Sequence, residues 1–293
     1  MLTLTFLGVG SAFAKRNFQS NALVEAWSAG PDRQAAPDDT LLIDFGATGP
    51  LAFHQLKAQK GFAYLDLAGL TRYGAIGRVF VTHLHSDHIG GLEELALTSF
   101  LANGRAGSGA ARPRLVASAE LLRNLWNQSL RGGLGVLDGR SANLDDYFEV
   151  HALGSAADGR LDGFTMLGRY RFTAFPTDHI RLHRKYDWLS YALLMEDTQT
   201  GRTAVYSGDT RFDRERLVPM MATASWTFHE VLLDEEPCSV HTLLSELRSL
   251  PEAVRRRTYL YHYADCWDAP AYGFVADEFA GFVRPQTRYA LFE

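Results

Sequence analysis

Three histidines and an aspartate fall within six positions at His83-Leu84-His85-Ser86-Asp87-His88, directly behind the apolar run Val79-Phe80-Val81. The stretch from Arg78 to Thr82 reads as a buried strand. After the tight Gly90-Gly91 turn, Leu92, Leu95, Ala96 and Ser99 recur at helical spacing. The four polar side chains therefore sit on a strand-to-helix loop. His83 and His85 can converge on one divalent ion while Asp87 and His88, further round the turn, face a second. Imidazole suits zinc and other first-row metals, and the carboxylate admits harder ions such as Mn²⁺. Four ligand-type residues at this spacing behind a strand form a far more specific pattern than a chance histidine cluster on a solvated turn.

The elements that must position this loop come from a chain of 293 residues, 46% apolar and 12% aromatic, long enough to bury a large core as one α/β domain over residues 1–293. A net charge of -5 and a pI near 6.1 give no overall pull toward nucleic acid or membrane. Two cysteines, Cys238 and Cys266, are too few for a disulfide framework, and the opening Met1-Leu2-Thr3-Leu4-Thr5-Phe6 alternates as a strand. No apolar run reaches the ~18 residues a membrane span needs. The expectation is a protein of the reducing cytoplasm with no membrane partner and no nucleic-acid partner.

Along the chain, Leu2 to Leu7 and Ala22 to Glu25 read as strands around a Gly8-Val9-Gly10-Ser11 turn, and residues 26–39 as an exposed hairpin loop. Leu41 to Gly46 is a buried strand, followed by helices over 50–60 and 62–73, the second with a Gly74 stop. Residues 104–112 form a loop, Arg114 to Ala117 a strand and Ala119 to Gln128 a helix, with surface connections at 131–134 and 138–145. Arg169 to Phe175, Ser190 to Leu194, Thr203 to Tyr206 and Thr258 to Tyr261 are further strands.

The segment from Thr82 to Gly91 resembles the HxHxDH motif of the metallo-β-lactamase fold superfamily. That resemblance implies an α/β, four-layer αββα sandwich with two divalent metal ions at one edge, zinc or alternatively manganese. It also implies three further ligands downstream, in the order His, Asp, His. Pro176-Thr177-Asp178-His179 is similar to the Pro-x-x-His segment of tRNase Z-like enzymes and offers His179, with His183 and His151 as competitors. Ser207-Gly208-Asp209-Thr210 resembles the motif whose aspartate bridges both metals, and His262 fits the last position. The implied site holds one ion on His83, His85 and His179 and the other on Asp87, His88 and His262, with Asp209 shared; Asp87 is also counted among the catalytic residues.

Other parts of the resemblance are looser. The strand before the metal loop of this family often ends in Asp-x-Gly, so Asp44 braces the loop or a ligand histidine, or else caps the next helix. His229-Glu230 resembles the His-Glu pair in which the glutamate orients the histidine as acid, although Val231 stands where those enzymes usually have Ala. His241 resembles a supporting family histidine; core or cap roles stay open for both histidines. Ser11 and Asn17, in the opening turn, and Tyr191 are candidate substrate contacts, and Trp188, Tyr191, Trp267 and Tyr272 are candidates to stack on a base.

The stretch between His179 and Asp209 leaves no room for the long tRNA-gripping arm of typical tRNase Z enzymes. With the acidic net charge, this directs the reading to a small phosphodiester. The Gly-Ser-Ala-Phe-Ala opening and the late Tyr-His-Tyr-Ala-Asp segment are similar to 3′,5′-cyclic nucleotide phosphodiesterases of the anti-Pycsar type. The resemblance implies hydrolysis to the linear monophosphate, a cyclic nucleotide as small-molecule partner, and a homodimer. The alternatives are a tRNase Z-like 3′ endonuclease without its arm, and a non-catalytic protein that sequesters nucleotide.

Overall fold

Strands β1 (Leu2–Gly8) and β2 (Asn21–Ala26) are buried along their whole length, so both faces of their sheet are covered. The computed structural model describes residues 1–28, 36–104, 112–181, 188–233 and 240–293; His183 and Cys238 lie outside them, as does most of the 104–112 loop. From β2 the chain continues through β3 (Asp39–Ile43), α1 (Gly49–Leu56), β4 (Arg78–Phe80), α2 (Ser86–Ile89), α3 (Leu92–Asn103), β5 (Arg114–Ser118), α4 (Ala119–Leu125) and α5 (Arg131–Leu134). A small hairpin of β6 (Val136–Leu137) and β7 (Arg140–Ser141) precedes β8 (Glu149–Leu153). The second half brings β9 (Phe164–Met166), β10 (Tyr170–Pro176), β11 (Tyr191–Asp197), β12 (Thr203–Tyr206), α6 (Leu217–Thr223), β13 (Trp226–Glu230), β14 (Thr258–Tyr261), β15 (Gly281–Phe282) and β16 (Arg288–Phe292).

These strands form two seven-stranded sheets, ordered β16-β1-β2-β3-β4-β5-β8 and β15-β14-β13-β12-β11-β10-β9. Each is antiparallel on one side and parallel on the other: β3, β4, β5 and β8 run parallel, as do β12, β13, β14 and β15. Aromatic side chains stitch the sheets together. The Phe6 ring lies 6.0 Å from Tyr206, 5.6 Å from Phe228 and 5.1 Å from Tyr261, and Phe80 lies 6.2 Å from Phe164. Helices α1 and α4 pack on the first sheet and α6 on the second, giving the αββα sandwich. In open sheets of this kind the carboxyl ends of parallel strands are where ligands sit.

Two expectations change. Residues 62–73 form no α-helix but two single 3₁₀ turns, Ala63–Leu65 and Gly69–Thr71, because Gly69 takes a left-handed φ of +59° in the middle of the stretch. Leu65, Tyr73 and Ile76 are buried all the same. The segment 131–134 is a helical turn rather than a plain connection. His151 lies in β8, the edge strand of its sheet, paired with Val116.

Candidate metal centre

The loop leaving β4 is shaped by its neighbour behind β3. The Phe45 N–H donates to the His88 carbonyl at 2.7 Å, Ala47 N–H to Ser86 at 3.1 Å, and Gly91 N–H to Phe45 at 2.8 Å. A Cβ on Gly46 would stand 1.7 Å from the Asp87 carbonyl oxygen, so only glycine lets the two loops close on each other. The result turns His83, Asp87 and His88 inward, all buried, with His85 half-buried.

Three other strand ends meet this loop. β10 delivers His179, β12 delivers Asp209 and β14 delivers His262. His83, His85, His179 and Asp209 bring one donor atom each to within 4.8 Å of one another, and so do Asp87, His88, Asp209 and His262. Asp209 belongs to both groups. Its Oδ2 lies 3.8 Å from His83 Nε2, 3.4 Å from His88 Nε2 and 3.4 Å from His262 Nε2.

The outward ring nitrogens fix which nitrogens face the centre. Asp44, at a left-handed φ of +60°, accepts from His88 Nδ1 at 2.7 Å, from the Thr82 N–H at 2.8 Å and from the Thr82 hydroxyl at 2.7 Å. With its proton given to Asp44, the Thr82 oxygen accepts from His83 Nδ1 at 3.0 Å. His179 Nδ1 donates to the Val240 carbonyl at 2.8 Å, and His262 Nδ1 sits 3.2 Å from Ser20 Oγ. Each tether holds the ring's tautomer and leaves the other nitrogen bare. Asp44 thus braces His88, one of the expected ligands; the cap position of α1 is Thr48.

Bare nitrogens now face one another. His83 Nε2 lies 3.0 Å and His179 Nε2 3.3 Å from His85 Nδ1. His88 Nε2 and Asp209 Oδ1 are buried with no hydrogen-bond partner. Lone pairs converging in a buried space repel unless a cation lies between them, and N/O donors of this kind suit divalent first-row ions. The residues present therefore fit a pair of metal ions.

Charge balance points the same way. Burial, foremost, keeps His83 well below the usual imidazole range and holds His179 and His262 down to about 4. Burial opposes it, but the carboxylates of Asp209, Asp44 and Asp87 raise His88 well above that range. Asp87 falls to about 2 because His88 and His262 outweigh its burial. His83, His179 and His262 are thus held neutral beside ionised carboxylates, as a metal requires, whereas the carboxylates around His88 favour its charged form, whose proton a bound cation would displace.

Glu230 does not pair with the His229 ring. His229 is buried, with Nδ1 on the Glu230 carbonyl at 2.7 Å, whereas the Glu230 carboxylate faces the other way. Its Oε1 accepts from Thr242 N–H at 2.9 Å and lies 3.3 Å from His241 Nδ1. Adjacent residues on a strand point to opposite faces, so β13 cannot present both side chains to one site. The imidazole that the Glu230 carboxylate meets is therefore that of His241, not His229. The His241 ring lies 5.1 Å from that of His179 and 5.3 Å from that of His262, at the rim of the donor cluster.

A cavity of about 1300 Å³ opens beside His179, lined also by Trp188, Tyr191, Arg181, Phe212 and Arg216. Tyr191 is a buried wall residue. Asn17 is also buried; its carbonyl accepts from Val9 N–H, while the half-buried Ser11 donates its N–H to Tyr263. Ser20 and Val240, which hold two of the histidines, carry no sequence signal beyond a polar residue ahead of β2 and an apolar residue before His241.

Sheets, layers and strand-end donors define a metallo-β-lactamase fold, and the chain is similar over 98% of its length to the metallo-β-lactamase fold protein YhfI from Bacillus subtilis, at a TM-score of 0.66, 15% identity and 98% of that chain. A family model described as anti-Pycsar protein Apyc1 matches residues 2–289. The chain belongs to the anti-Pycsar Apyc1 family. It is 33% identical over 293 residues to the anti-Pycsar protein Apyc1 of Paenibacillus harenae, covering 98% of each, and 35% identical over 271 residues to that of Bacillus phage vB_BsuM-Goe3, covering 89% of each.

Proposed function

We propose that this chain is a metal-dependent phosphodiesterase that hydrolyses a 3′,5′-cyclic nucleotide to the linear monophosphate. One observation carries the reading: two donor groups with bare nitrogens share the single carboxylate of Asp209. When bound, a pair of divalent ions supplies an ionised water near neutral pH and neutralises charge at the oxygens of an in-line displacement at phosphorus. Zinc is the expected ion and manganese the alternative. His83, His85 and His179 would hold one ion and Asp87, His88 and His262 the other, with Asp209 belonging to both groups.

The leaving ribose oxygen needs a proton, and we assign its donation to His241, which lies at the rim of the donor cluster beside Glu230. Glu230 fixes a proton on His241 Nδ1 and stabilises the charged ring, leaving the far nitrogen to donate. The cavity beside His179 admits a small phosphodiester. Only 29 residues separate His179 from Asp209, and β11 and β12 take 11 of them, which leaves little chain for a tRNA-gripping arm and disfavours the tRNA-end reading. Membership of the Apyc1 family, together with the sequence likeness to cyclic-nucleotide phosphodiesterases, favours the cyclic substrate.

The test is to mix the metal-loaded protein with cAMP, cGMP, cCMP and cUMP and to separate the products. A linear monophosphate from at least one of them is expected. None from all four overturns the reading.

A further inference from the structure

We infer that Trp188 is the surface on which the substrate's base stacks, and so a residue that tunes how tightly each cyclic nucleotide is held without excluding any base; this rests on the phosphodiesterase reading above. The indole lies over the imidazole of His85, with centroids 5.2 Å apart and planes inclined by 31°. It also lines the cavity beside His179. A flat apolar ring therefore begins one ring away from the donor cluster at which the phosphate is held. No protein acceptor pins its edge, since the Trp188 Nε1 is buried without a partner. Among the described residues, the ring contact that the indole makes is with His85.

The other aromatic candidates are committed elsewhere. Tyr191 is 4% exposed and has no face to offer. Trp267 packs 5.5 Å from Tyr263 and 5.8 Å from Phe282, with the Arg284 guanidinium 4.4 Å over its ring. Tyr272 donates its hydroxyl to the Leu233 carbonyl at 3.1 Å. Stacking on an aromatic side chain tolerates any base but binds larger, more polarisable ones more strongly, so the ring tunes preference without a base-specific hydrogen bond.

Trp188→Phe and Trp188→Ala test this, each first assayed for metal content. Trp188→Ala is expected to raise KM by about 5- to 100-fold for the preferred cyclic nucleotide. Its kcat and metal content should hardly change, and the ranking of the four cyclic nucleotides should flatten. Trp188→Phe should lie between Trp188→Ala and the wild type. Titrating the wild type with the linear monophosphates should quench intrinsic fluorescence, and Trp188→Phe should lose that quench. An unchanged KM and ranking in Trp188→Ala, or a lower kcat that follows metal loss at unchanged KM, overturns the inference while leaving the phosphodiesterase reading intact. A wild type that neither turns over nor quenches with any of the four overturns both.

Discussion

Asp44 is fully buried, and it fixes His88 directly and His83 through Thr82. Asp44→Asn keeps the shape but leaves one acceptor oxygen where the carboxylate uses two, so either the Thr82 N–H or the pair formed by His88 Nδ1 and the Thr82 hydroxyl loses its acceptor. Metal affinity is expected to fall by about 10- to 100-fold, read by competition against a chromogenic chelator; unchanged affinity would show that the rings hold their orientation unaided. At the same scale the two histidines near Glu230 separate. His241→Asn should lower kcat by about 10²- to 10⁴-fold with metal content intact. His229→Gln, in the interior, should lower the melting temperature and leave the kcat of the folded fraction nearly unchanged. The opposite pattern would return the acid role to His229.

At the scale of elements, the centre depends on two loops closing, and Gly46 is where they touch. Gly46→Ala places a methyl group on the Asp87 backbone, so the metal loop must move. Loss of bound metal together with a lower melting temperature is expected; full metal occupancy would show that the loop has slack. Much of this was legible in the chain. Short apolar and aromatic runs leading into His83, Ser207-Gly208-Asp209 and His262 mark the strand ends, because burial on both faces forces such composition. The partners of those ends were not legible. Ser20 and His262 are 242 residues apart, and His179 and Val240 are 61 apart. Such contacts follow from how the sheets meet and leave no local spacing to read. The His241–Glu230 pair escaped for a related reason: adjacency along β13 pointed to His229, while strand alternation gives Glu230 to the opposite face. The stretch 62–73 misled because its apolar spacing is helical, and one glycine outweighs it.

At the scale of the whole molecule, β2 and β16, which flank β1 in the first sheet, are tied together through a buried ion pair. Glu25 in β2 is fully buried and takes both Arg288 of β16, at 2.8 and 2.6 Å, and the Tyr64 hydroxyl, at 2.7 Å. Thr3 adds a hydroxyl at 3.2 Å. Removing one partner of a buried pair strands the other, so Glu25→Gln should cost about 3–5 kcal/mol in denaturant unfolding. Activity per folded molecule should persist, which separates the scaffold from the site. Among the described residues no helix is long and apolar enough to cross a membrane.

The most direct measurement on the shared centre is elemental analysis of the metal-loaded, desalted protein and of Asp209→Ala. The wild type should retain about two equivalents of divalent metal per chain and the variant neither, because one carboxylate serves both groups. A wild type that retains none, or an Asp209→Ala variant that still retains both, contradicts the shared centre.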